Sequence, residues 1–218
     1  YGGGRGASDA PAHVENTVTL LIEGGTVGNA VYGGGNHYAH VGRVETVIGK
    51  EGKPGPTVTN YVAGGANGGE LGEADTRVDE ASVRLLSGNI GKLFGGGQGY
   101  TFVGISTIEM AGGTVKELIG GGSNGTTQEV AIAVSGGTVM DALFAANRGT
   151  VGAVTMALST ALNPKYGICL SNCLESNDTD GVVSGTVTLT NNAVGQSPIY
   201  FGATLGEATG VSIGGDQP

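Results

Sequence analysis

One recurring unit constrains this chain more than any other feature. A short apolar strand runs into Gly-Gly-Thr-Val, and an aliphatic or aromatic residue then leads into Gly-Gly-Gly. The first copy is Leu20-Leu21-Ile22-Glu23-Gly24-Gly25-Thr26-Val27, continuing to Val31-Tyr32-Gly33-Gly34-Gly35-Asn36. Val83 to Gln98, Ile108 to Gly122 and Ile132 to Asn147 repeat it, and Phe94, Ile119 and Phe144 follow one another at 25-residue steps. A fixed period of this length marks a chain of units that cannot bury their apolar face alone and must stack.

Inside each copy the period is two. Leu20 and Ile22, Val83 and Leu85, Ile108 and Met110, and Ile132 and Val134 take the inward slots of a strand. Leu21, Arg84, Glu109 and Ala133 take the slot between them, facing out. Two-residue hairpin turns do not separate consecutive strands, as an antiparallel protein would require. The pattern predicts an all-β fold, a single-stranded parallel β-solenoid with coils of about 25 residues. The usual crossover of parallel strands makes it right-handed. Val154 to Leu158 and Val187 to Thr190 read as strands of later coils, and Val58 to Gly65 as a deformed coil. The whole of 1–218 reads as one solenoid domain, with surface insertions at about 37–56 and 66–80. The opening Tyr1-Gly2-Gly3-Gly4 matches the end of a repeat, so the chain reads as a fragment of a larger protein.

Gly accounts for 45 of 218 residues but does not recur at every third position, which excludes collagen. Hydrophobic residues at 39% and charged residues at only 13% argue against disorder. The glycines read instead as corner residues, chosen for positive φ and for close approach between coils. Asn36, Gln98, Asn124 and Asn147 fall at or near the triple-Gly runs, where stacked amides can bond along the axis. A phosphate cradle needs a following helix and a Lys or Ser/Thr at fixed spacing, and no such context is present.

A net charge of −9 without a Lys/Arg cluster disfavours nucleic acid and anionic membrane surfaces as partners. No apolar run is long enough for a transmembrane helix, so no membrane insertion is expected. The acidic residues Glu70, Glu73, Asp75, Asp79 and Glu80 read as a solvated loop. Asp178 and Asp180 fit the first half of a calcium loop, but Val187 stands where the bidentate Glu belongs, so calcium is the sharper reading and a plain turn the blander one. Cys169 and Cys173 read either as two buried thiols or as a local disulfide in an oxidising compartment; no second Cys or His pair completes a metal set. His37 and His40 flank Tyr38 and lack two further zinc ligands nearby in sequence.

The repeats at Gly24 to Asn36, Gly112 to Gly122 and Gly136 to Asn147 resemble those of secreted bacterial β-helix proteins, most closely adhesin-like surface proteins. The resemblance covers most of residues 17 to 150 and fades beyond. It implies a secreted or cell-surface location and a non-catalytic role as adhesin or structural spacer, with a glycan or protein as partner. Some β-helices are instead polysaccharide lyases or glycosidases, so a polysaccharide-processing enzyme, or an inactive relative that binds glycans, is the alternative. No catalytic constellation and no cofactor requirement is legible. Tyr32, Phe94 and Phe144, with Tyr200 or Phe201, read as a row of aromatics, either a stabilising stack or a sugar platform. Tyr38 and Tyr100 lie outside the repeat register and are the candidate ligand-contacting residues, since loops on a rigid scaffold carry function.

Overall fold

The computed structural model describes residues 1–69, 76–170, 181–192, 199–200 and 211–214. Every strand pair in the two main sheets is parallel. The first sheet is ordered β1 (Ala12–Ile22), β4 (Ala39–Ile48), β7 (Arg77–Leu85), β10 (Phe102–Met110), β12 (Thr126–Val134), β14 (Thr150–Leu158), β17 (Val187–Asn191) and β19 (Val211–Gly214), with β16 (Val182–Val183) beside β14. The second runs β2 (Thr26–Val27), β5 (Thr57–Ala63), β8 (Asn89–Phe94), β11 (Thr114–Ile119), β13 (Thr138–Phe144), β15 (Ile168–Cys169) and β18 (Ile199–Tyr200), with β3 (Ala30–Tyr32) beside β5. The chain alternates between the sheets, so each coil lies on the one before it. This is the parallel β-solenoid that the repeat predicts.

Register makes each inward row a column along the axis. One column reads Leu20, Thr46, Val83, Ile108, Ile132 and Met156; the next reads Ile22, Ile48, Leu85, Met110, Val134 and Leu158. The second sheet supplies Val62, Leu93, Leu118, Leu143 and Ile168. These columns merge into one buried cluster from Val31 to Leu189. A coil alone would leave its row half wet, and stacking at about 4.8 Å closes it on both sides.

The two Gly motifs solve different steric problems. In Gly-Gly-Thr-Val the second glycine is left-handed, at φ +77° for Gly113 and +90° for Gly137. In the triple-Gly runs the need is space. A Cβ on Gly96 would sit 2.6 Å from the Gly122 nitrogen and 2.8 Å from the Gly121 carbonyl carbon. Here the strands of neighbouring coils bond backbone to backbone, as in Gly64 N to Phe94 O (2.8 Å) and Gly95 N to Ile119 O (2.9 Å).

The segment expected as an insertion at 37–56 is part of the scaffold. Residues 39–48 form β4, paired to β1 on one side and β7 on the other. Its inward pattern is Val41, Val44, Thr46 and Ile48, with Gly42 and Arg43 together between the first two. That doubled position breaks strict alternation and hides the strand in the sequence. Only His37-Tyr38 and residues 49–56 lie between strands there. In the second expected insertion, 66–80, Asn67–Gly69 forms β6, which pairs with β9 (Gln98–Gly99), and β7 begins at Arg77. Glu70, Glu73 and Asp75 lie outside the described residues; Asp79 and Glu80 are on β7.

Candidate functional site

The aromatic row exists, with Tyr32, Phe94 and Phe144 buried. Tyr32, Ala63, Phe94, Ile119, Phe144, Cys169 and Tyr200 are register partners in turn. Tyr200 therefore pairs in register with Cys169, Phe201 lies outside the described residues, and large and small residues alternate through much of the row. Where Ala63 leaves room, the Tyr61 ring enters, edge-on to Tyr32 at 5.6 Å and to Phe94 at 5.8 Å. Tyr32 and Tyr61 share a hydroxyl–hydroxyl hydrogen bond. Burial, then that bond, pushes the Tyr32 hydroxyl far above the ordinary phenol range, so it stays protonated. Phe94 is 5% exposed and Phe144 0%. From Tyr32 to Cys169 the row is a satellite core, and at its open end the exposed Tyr1 ring stacks on Tyr32 at 4.7 Å.

The amides form a partial ladder. Asn67 Nδ2 donates to Asn36 Oδ1 at 3.1 Å, and the chain continues to Gln98 through backbone pairing. Asn147 lies apart, with its Oδ1 buried and without a hydrogen-bond partner among the described residues. Arg84 and Glu109, neighbours on the outer face, meet at 3.5 Å as a solvated ion pair, a contact worth little.

Chemistry gathers at one corner instead. Outward positions of β1, β4, β7 and β10 place His13, His40, Arg77 and Phe102 in one row. The His13 and His40 rings meet edge-on at 5.7 Å, and the Arg77 guanidinium lies over Phe102 at 5.1 Å. Asp79, two residues along β7, ties the row together. It accepts from His40 Nε2 at 3.0 Å, and from Arg77 Nη2 at 2.6 Å and Nε at 2.9 Å. Partial burial raises the Asp79 carboxyl, but the bonds from His40 and Arg77 outweigh it and hold it below the usual carboxylate range. Asp79 is therefore an acceptor at neutral pH and no proton donor.

Tyr38 stands at the mouth of this row. It and His37 are the non-glycine residues of left-handed conformation among those described, each at φ +43°. Such a conformation costs of order 1–3 kcal/mol per residue unless the surroundings impose it. Neighbouring coils do so: His37 N donates to Asn67 O (2.9 Å), Gly6 N to His37 O (3.0 Å) and Ala12 N to Tyr38 O (2.9 Å). Tyr38, His13, His40 and Arg77, with Ser8, Pro11 and Ala39, enclose a shallow cavity of about 240 Å³.

Tyr100, the second tyrosine singled out by sequence, is 46% exposed. It precedes Phe102 by two residues as Tyr38 precedes His40, and His40 and Phe102 are both register partners of Arg77. The two tyrosines thus occupy the same corner position, two coils apart. Sequence reading chose them separately and missed His13, His40, Arg77 and Asp79, which only the register brings together. Cys169 carries no free thiol. Cys173, Asp178 and Asp180 lie outside the described residues, so the disulfide and calcium readings stay expectations. Among the described residues, no three His, Cys, Asp or Glu side chains converge as a metal set. Compared with known proteins, the chain matches no family model, no curated protein and no solved structure.

Proposed function

We propose that the chain is a non-catalytic bacterial surface protein, secreted or displayed on the cell, in which the solenoid is the rigid body of an adhesin or spacer. The observation that carries this reading is the pairing of one continuous core with an exposed polar corner. Cross-coil hydrogen bonds hold Tyr38 in a costly backbone conformation beside His13, His40 and Arg77. A contact surface set on stacked strands needs little ordering when it meets a partner, which favours recognition. The absence of a free thiol at Cys169 fits an oxidising compartment. The partner is a glycan or a protein.

A second reading, a polysaccharide-processing enzyme, draws support from the contact of His40, Asp79 and Arg77 next to Tyr38. An imidazole oriented by a carboxylate is a general base in other folds. Against it, Asp79 is the lone carboxylate of the network among the described residues and is neutralised by Arg77, whereas glycosidases use a pair. A glycan array run beside reducing-sugar and unsaturated-uronate assays separates the two. Binding without turnover is expected; turnover of any polysaccharide overturns the non-catalytic reading.

A further inference from the structure

We propose that the Tyr38 corner binds an uncharged pyranose ring of a glycan, an assignment that deepens the adhesin reading and rests on it. The charge balance of the cavity comes first. Among the described residues, and with histidine counted as neutral, the charged residue lining it is Arg77, which is paired with Asp79 beside the cavity. Arg43, farther along the face, is taken by Glu45 at 3.0 Å and Glu80 at 3.4 Å. An acidic sugar would find the Arg77 charge already engaged by Asp79, whose like charge stands beside it. A neutral polyol meets no such penalty.

The hydrogen-bonding groups fit that ligand. Asp79 binds through Oδ1 to Arg77 and through Oδ2 to His40, and a carboxylate can accept about four bonds in all. Arg77 is tied to Asp79 through Nε and Nη2, leaving the Nη1 end of its fork outside that pair. The Arg77 fork lines the cavity beside the His13 and His40 rings and Ser8, so polar groups stand close enough together to meet neighbouring hydroxyls on a sugar ring. Each group is held in place by the others and by Phe102 beneath the guanidinium, so little freedom is lost on binding. Tyr38 supplies an aromatic face for the C–H side of the ring.

The size of the cavity favours a small ligand. The cavity of about 240 Å³ lies below the range of about 300–1,000 Å³ typical for drug-sized ligands, so it suits one ring at a time. Strands β4 and β7 are paired on both sides, so a peptide could join as an added strand only along β1, the end strand that carries His13.

The test is titration of the intact chain, by calorimetry or ligand-observed NMR, with methyl glucoside, galactoside and mannoside and with the matching glucuronide and galacturonide. At least one neutral glycoside should bind more tightly than its uronide. Arg77→Gln and Tyr38→Ala should each weaken it about tenfold or more, while Met140→Ala, on an exposed side chain elsewhere, should leave it unchanged. Tighter binding of a uronide, no binding of any neutral glycoside, or neutral binding indifferent to both substitutions overturns the proposal. Glycan-array binding that survives Arg77→Gln and Tyr38→Ala sinks this corner and leaves the adhesin reading standing; turnover sinks that reading itself.

Discussion

The stretch from Phe102 to Leu158 and the stretch from Asn36 to Asp79 are built on the same strands and differ in what they place outside. In the first, the row continuing from His13, His40, Arg77 and Phe102 holds Thr126 and Thr150, and the left-handed positions are glycines. In the second, the row holds His40 and Arg77, and two left-handed positions are His37 and Tyr38. Regular coils use glycine to remove strain; the interrupted coil keeps strain and gains chemistry. Local strain tends to persist where function requires it. The repeat is therefore scaffold, and its interruption is the candidate site.

Substitutions can break or sharpen this contrast. The largest effect is expected in the shared core. Leu118→Ala, at a fully buried position in the middle of its column, should lower unfolding free energy by about 2–5 kcal/mol in urea titration. A loss under 1 kcal/mol would mean the columns do not bear on one another. Next is Gly125→Ala in the regular stretch. Its φ is +106° and a Cβ would lie 2.3 Å from the Thr101 carbonyl oxygen, so strain and overlap should together cost about 2–4 kcal/mol. Gly24→Ala is the control: nothing lies within 4 Å of a Cβ there, and a change within about 0.5 kcal/mol is expected.

The smaller effect is electrostatic. The Asp79 carboxyl is held below its ordinary value of 3.8. A depressed carboxyl stabilises the fold above its unfolded value and loses that contribution as pH falls through the folded one. Asp79→Asn should therefore cost up to about 1 kcal/mol at pH 7, since the group is partly exposed. The gap from the unsubstituted chain should close as pH falls below 3.8. A gap that widens with acid would assign the bonds to the wrong protonation state.

Much of the scaffold was legible because strand period and repeat period agree. Val83, Ile108 and Ile132, read as one slot, are register partners. β4 was hidden because Gly42 and Arg43 both face away from the core and Thr46 faces in, which spoils alternation. The same doubled position recurs at Asp79-Glu80 and Gly104-Ile105, so its periodicity was available as a signal. Tyr38 was legible as an aromatic between strands. Its companions were not: His13, His40 and Arg77 are separated by 27 and then 37 residues, and unequal coil lengths conceal their shared row. The buried aromatic row shows the converse. Spacing revealed the alignment of Tyr32, Phe94 and Phe144, but the side toward which they point depends on two successive inward residues at each strand end.

Tyr38→Gly tests the division between scaffold and site most directly, because it removes the strain and the ring together. Unfolding free energy and glycan binding, measured on the same protein, should move apart: stability unchanged or raised by about 1 kcal/mol, since glycine adopts φ +43° without steric strain and that relief offsets its larger entropy loss on folding, and binding lost. Binding retained at full strength, or a fold that collapses without the Tyr38 ring, would contradict the account.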